Sequence, residues 1–179
     1  LAPGECLGII GPSGSGKSTL GRNLTGIFVP ASGSVLLDGT DILALQDSGG
    51  ASRLGYLPQD IDLVGETLKD IIARLEDADL QQVIAAAKLA GLHETIMRLP
   101  QAYDTAVTGG GAHLPRGFRQ RLGLARAFFG DPHLVVLDEL GYWIDQEAAA
   151  TVRLTGADAT RGGGGPGADD LVRVATALT

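Results

Sequence analysis

The sequence predicts an α/β fold with a mostly parallel sheet, a small antiparallel β region and an α-helical insertion subdomain. Three observations predict it. A short apolar run, Cys6-Leu7-Gly8-Ile9-Ile10, reads as a buried strand and leads through a glycine-rich turn into residues at helical spacing. A second apolar run, Leu134-Val135-Val136-Leu137, follows a helix-period segment and ends in Asp138-Glu139. Between them, residues 66–99 carry apolar positions at helical spacing rather than in alternation. Strands that return after helices imply parallel neighbours, because parallel pairing needs a crossover.

Taken in order, residues 1 to about 28 form a strand, a turn and a helix. Residues 29–58 alternate turn clusters (Pro30-Ala31-Ser32-Gly33, Asp38-Gly39) with β-rich runs (Ser34-Val35-Leu36-Leu37, Leu54-Gly55-Tyr56-Leu57), which suggests hairpins. In residues 66–99, Leu68, Ile71, Ile72 and Leu75 share one helical face, and Leu80, Val83, Ile84 and Ala87 share another. Residues 117–129 read as a further helix ahead of the strand at 134–137. The expected division is a core of 1–60 and 116–155, a helical subdomain of 61–115, and a divergent tail of 156–179. Residues 156–168 have the glycine-rich composition of a flexible linker. After residue 138 no strong strand signal stands out, and the stretch from Asp169 to Leu178 suits a short amphipathic helix.

Composition narrows the function classes. The 179 residues are 44% hydrophobic and 20% charged, enough for a single packed core. A net charge of −7 with three lysines argues against a nucleic-acid surface; Arg116, Arg119, Arg121 and Arg126 are the one basic cluster. The single cysteine, Cys6, excludes an internal disulfide and a Cys-rich zinc site. No apolar run approaches the ~20 residues of a spanning helix, and the first residues lack the form of a signal peptide. The late start, without Met, is that of a fragment.

The chemistry begins at Gly11-Pro12-Ser13-Gly14-Ser15-Gly16-Lys17-Ser18-Thr19. These residues fill the G-x-x-x-x-G-K-[ST] template between a strand and a helix, the P-loop arrangement. Its glycines let backbone N–H groups curl around phosphate oxygens at the positive end of a helix. Lys17 would reach the β- and γ-phosphates, and the Ser18 hydroxyl would sit on Mg²⁺. Without the flanking strand and helix the same residues would be an ordinary turn. Asp138 and Glu139 would stand at a strand's carboxyl end, where open α/β sheets bind ligands. Asp138 would hold Mg²⁺ through water and Glu139 would polarise an attacking water, a role typically worth about 10²–10⁴-fold. Gln59, after Tyr56-Leu57-Pro58, is a weak signal alone. Beside the phosphate site it would ligate Mg²⁺ or the attacking water and link the sheet to the helical insertion.

The order of these motifs, with Arg119-Gln120-Arg121-Leu122-Gly123-Leu124-Ala125-Arg126-Ala127 ahead of the acidic strand, closely resembles the nucleotide-binding domain of ABC transporters. Within them the chain is similar to the type I secretion (protease and lipase exporter) group. Pro3-Gly4-Glu5, Gly55-Tyr56-Leu57-Pro58-Gln59-Asp60, Ala90-Gly91-Leu92-His93-Glu94, Leu99-Pro100-Gln101-Ala102-Tyr103-Asp104-Thr105 and Gly130-Asp131-Pro132 carry the likeness, which covers residues 2 to about 150. The resemblance implies a P-loop NTPase that binds and hydrolyses ATP with Mg²⁺. It implies a second nucleotide-binding domain as partner, so that two ATP molecules lie head to tail between two copies. It also implies a transmembrane domain that places the chain at the cytoplasmic face of the bacterial inner membrane.

The chain departs from that pattern in three places. The family's Leu-Ser-Gly-Gly-Gln reads Leu114-Pro115-Arg116-Gly117-Phe118 here; Pro115 is tolerable at a first helical position but removes a hydroxyl and a backbone donor. After Glu139 the family has Pro and then Leu-Asp, where this chain has Leu140-Gly141-Tyr142-Trp143-Ile144-Asp145. Residues 146–179 hold no histidine, so the family's switch histidine is absent; His113 and His133 read as loop residues. Likeness fades after about residue 139, and the tail has the composition a frame-shifted GC-rich coding sequence would give. Two readings follow: an ATP-hydrolysing exporter domain, or a nucleotide-binding, hydrolysis-poor regulatory domain. A P-loop kinase would need an acceptor lid, and a DNA-repair ATPase a long coiled coil; neither pattern is present.

Overall fold

The structure, a computed structural model, describes residues 1–2, 5–47, 53–138 and the backbone of 171–176. Strand β1 (Cys6–Ile10) runs through the glycine loop into α1 (Lys17–Leu24). A hairpin of β2 (Leu36–Leu37) and β3 (Thr40–Asp41) follows. Its turn residues, Asp38 and Gly39, have φ of 51° and 78°, the mirror-image turn that matches strand twist and that Asp-Gly favours. Helix α2 (Ile42–Asp47) starts at once, helped by the Asp41 carboxylate, which accepts from the Leu43 N–H at 2.9 Å. The sequence patterns did not reveal α2.

The run at β4 (Leu54–Leu57) makes no hairpin. It lies parallel to β5 (Leu134–Asp138), with Leu54 opposite Leu134 and Leu57 opposite Leu137. The second sheet has the order β1-β6-β5-β4, where β6 is Leu171–Thr176. This corrects two expectations. The tail stretch read as an amphipathic helix is a strand, because Val172, Val174 and Thr176 alternate as β-branched residues. Parallel pairing is also not the rule in this sheet: β4–β5 is parallel, whereas β6 runs antiparallel to both β1 and β5. By inserting between them, β6 gives each strand a hydrogen-bonded neighbour while leaving β1 and β5 pointing the same way.

Strand β5 divides the core. Leu134 and Val136 face a cluster with Ile42 and Leu54, to which Ile9, Leu24 and Tyr56 add partly buried surface. Val135 and Leu137 face the larger cluster, built with Leu57 and the helices. On that side α6 (Arg116–Phe128) packs directly on β4. Two glycines permit the close approach: a Cβ on Gly55 would collide with the Ala127 carbonyl, and one on Gly123 would lie 2.8 Å from Leu57 Cδ1.

Residues 66–99 form α3 (Leu68–Ile72), α4 (Leu80–Leu89) and α5 (His93–Met97) rather than longer helices. Thr67 and Asp70 cap α3 reciprocally: Thr67 Oγ1 accepts from the Asp70 N–H, and the Asp70 carboxylate accepts from the Thr67 N–H. Leu75, expected on the apolar face, is 61% exposed. The helix has ended by then, because Arg74 and Leu75 adopt left-handed φ of 57° and 64°. That conformation brings the half-buried Arg74 side chain to the end of α6. Its guanidinium donates to the carbonyls of Arg126 (3.0 Å), Ala127 (3.3 Å), Phe129 (3.1 Å) and Leu54 (3.0 Å). The cation satisfies carbonyls at the C-terminus of α6, where the helix's own hydrogen bonds run out and its dipole is negative.

Candidate functional site

The topology brings three strand ends to one edge. β1 and β5 both run antiparallel to β6, and β4 runs parallel to β5. Ile10 and Asp138 therefore stand opposite adjacent β6 residues, Leu171 and Val172. The glycine loop leaves β1 at this edge, and Pro58-Gln59 leaves β4 there.

The loop has the geometry a phosphate cradle requires. Gly14 and Gly16 have φ of 78° and 91°, open to glycine without strain. Gly16 is the N-cap of α1 and offers no side chain to its first turn. The first N–H groups of a helix have no intrahelical acceptor, which suits this end of α1 to an anion. The loop is closed by a bond from the Ser15 N–H to the Pro12 carbonyl at 3.1 Å. Pro12, Ser13, Gly14, Ser15, Gly16 and Thr19 are exposed, while Gly11, Lys17 and Ser18 are half-buried. Lys17 Nζ donates back to the carbonyls of Gly11 (2.7 Å) and Pro12 (2.9 Å).

The decisive contact spans most of the chain. The Ser18 hydroxyl donates to Asp138 Oδ1 at 3.0 Å, joining the first turn of α1 to the end of β5. Asp138 is 2% exposed, so its carboxylate depends on internal partners. Its other oxygen, Oδ2, accepts from the Tyr56 hydroxyl at 3.3 Å. Burial raises the Tyr56 phenol above its usual range, Arg22 beside it pulls down, and the net direction is up.

A serine hydroxyl and a carboxylate are hard oxygen donors, and together they fit Mg²⁺. That ion characteristically binds through one or two carboxylates and substrate phosphates while keeping several waters. Among the described residues no group of three or more His, Cys, Asp or Glu forms a metal cage. Gln59 stands at an exposed bend beyond β4, and among the described residues no hydrogen bond joins it to Ser18 or Asp138. Glu139 and the divergent residues 140–145 lie outside the described residues. Tyr56, read from sequence only as a neighbour of Gln59, is the side chain that reaches Asp138. The signal was its place on a strand parallel to β5, which the sequence does not display.

The altered segment at 114–118 begins α6. Pro115 is its N-cap, with Arg116 as the first helical residue, one place before the expected start at 117, and no side chain caps the turn. Arg116 is exposed, and nothing lies within 4 Å of where a Cβ on Gly117 would be. His113 and His133 lie in connecting segments, as read from sequence. His133 Nδ1 meets Asp38 Oδ2 at 3.2 Å.

The model of the family described as "ABC transporter" matches residues 1–140. The type I secretion system ATP-binding protein PrsD of Rhizobium meliloti is 46% identical over 145 residues, covering 80% of this chain and 25% of that protein. The cyclolysin secretion/processing ATP-binding protein CyaB of Bordetella pertussis is 42% identical over 149 residues, covering 83% of this chain and 21% of the relative. A bacterial Atm1-family ABC exporter with ATP bound superposes with a TM-score of 0.74 at 38% identity, over 86% of this chain and 28% of the other. The chain thus spans about a quarter of the length of such relatives.

Proposed function

The chain belongs to the ABC transporter family, and from that premise we propose that it is the ATP-binding and ATP-hydrolysing domain of an exporter for type I protein secretion. The observation that carries the reading is the 3.0 Å bond between Ser18 and Asp138, which joins the phosphate loop to the acidic strand. Residues 11–19 cradle the phosphates, and Lys17 leaves the loop carbonyls to neutralise the β- and γ-oxygens. Ser18 directly and Asp138 through water would hold Mg²⁺, and Gln59 would ligate the ion or the attacking water. When bound, that ion screens charge on the phosphates and orients them. Glu139 polarises the attacking water and Lys17 stabilises developing charge.

The partners in this reading are a second nucleotide-binding domain and a transmembrane domain, at the cytoplasmic face of a bacterial inner membrane. No helix of the described residues is long and apolar enough to cross a membrane. Residues 61–115 serve as the helical subdomain, and 1–60 with 116–155 as the core.

A second reading is favoured by the start of α6. Pro115 supplies neither a hydroxyl nor an N–H, and Arg116 places a long exposed side chain where the family has none. With no histidine in 146–179, the chain is then a nucleotide-binding, hydrolysis-poor half whose partner completes the site. ATP binding and turnover measured side by side, with Lys17→Ala and Glu139→Gln as controls, separate the two. Turnover abolished by Glu139→Gln supports the first; Mg-ATP binding without Glu139-dependent turnover supports the second.

A further inference from the structure

We propose that Tyr56 is a positioning residue that fixes the Asp138 carboxylate in the orientation from which it and Ser18 take a divalent cation. The inference rests on the nucleotide reading above.

A carboxylate at a strand end, held through one oxygen, still turns about its Cβ–Cγ bond. Asp138 is held through both. Ser18 donates to Oδ1 at 3.0 Å and Tyr56 to Oδ2 at 3.3 Å. The direction of each bond is forced by the groups present. An ionised carboxylate only accepts. The Tyr56 hydroxyl is the donor of its pair, so the phenol proton goes to Asp138. Ser18 likewise spends its proton on Oδ1, which leaves its lone pairs for a cation.

The tyrosine is itself held in place. Tyr56 pairs with Val136, so its side chain shares the sheet face on which Asp138 stands two residues further along β5. Helix α1 closes over it where Gly21 lies: a Cβ there would meet Val136 Cγ1 at 3.3 Å and Tyr56 Cε2 at 3.9 Å. Arg22 follows Gly21, and its guanidinium sits 5.3 Å from the centre of the Phe28 ring. Helix α1 therefore both supplies Ser18 to Asp138 and covers the Tyr56 ring at Gly21.

The test uses the whole chain and isothermal titration of ATP, in EDTA and in excess MgCl₂. Tyr56→Phe removes one oxygen and keeps the ring, so the packing under α1 is retained. The expected result is metal-free ATP affinity within about twofold of wild type and a Mg²⁺-dependent gain reduced on the order of tenfold, the usual scale for a residue that orients a ligand. A Tyr56→Phe gain within twofold of wild type overturns the inference. So does an equal loss with and without Mg²⁺, the mark of a packing role. A wild-type chain that binds ATP with no Mg²⁺-dependent gain overturns this inference alone, whereas one that binds ATP in neither condition overturns the nucleotide reading and this inference with it.

Discussion

Replacing Arg74 tests whether the link between the helical region and the sheet is as strong as its geometry suggests. Its guanidinium makes at least four donations, three to carbonyls around the end of α6 and one to Leu54 on β4, at 3.0–3.3 Å. A hydrogen bond to a charged group is worth about 1.5–3 kcal/mol net, and the four share one cation and are not additive. A cavity of about 330 Å³, lined by Leu54, Tyr56, Val64, Arg74, Leu75 and Arg126, adjoins the side chain and admits water to the freed carbonyls. Arg74→Ala therefore costs about 3 kcal/mol, a large share of the 5–15 kcal/mol of an ordinary domain. Because φ at position 74 is 57°, Arg74→Gly keeps the loss of donors but relieves a left-handed backbone, and recovers about 1 kcal/mol. Urea unfolding of the three chains measures both numbers, with unchanged slopes as the check on two-state behaviour. Stability of Arg74→Ala within about 0.5 kcal/mol of wild type would refute the assignment of Arg74 as the link.

Gly55→Ala drives a methyl into the Ala127 carbonyl; backbone cannot step aside cheaply, and the expected loss in urea unfolding is about 2–3 kcal/mol. Gly117→Ala goes the other way, because open space surrounds its Cβ position inside a helix, and gains about 0.5–1 kcal/mol. Tyr103, whose hydroxyl lies 2.8 Å from His93 Nδ1, titrates above its ordinary 10.0, first because it is buried and then because of Glu94. A raised folded value means that the contribution is whole below about pH 10 and is lost as pH rises through the folded value. Thermal melts from pH 9 to 11 check this: Tyr103→Phe gives a shallower alkaline decline than wild type.

What could be read from sequence was what local chemistry decides. The loop at 11–19 announces itself because a phosphate cradle needs consecutive residues of fixed type. The strand Leu134–Asp138 and the helix Arg116–Phe128 fall within a residue or so of their expected bounds, being strongly apolar and strongly periodic respectively. Elements set by distant partners were not legible. Leu54–Leu57 has the composition of a hairpin strand, but its neighbour is β5, far along the chain. Leu75 keeps helical period with Leu68, yet the backbone turns left-handed at Arg74 and Leu75, where Arg74 reaches carbonyls far along the chain. Val172, Val174 and Thr176 spell a strand that fills the gap between β1 and β5, over a stretch too short for its period to be told from a helix. The same limit hid Tyr56: nothing near it in sequence names Asp138 as its partner.

The central claim is that residues 11–19 hold a nucleotide's phosphates. Titration of Mg-ATP into the wild-type chain and into Lys17→Ala tests it most directly. Removing the ammonium group deletes a charged donor to phosphate, so wild type should bind about 10- to 100-fold more tightly. A wild-type chain that binds Mg-ATP no more tightly than Lys17→Ala would contradict the account.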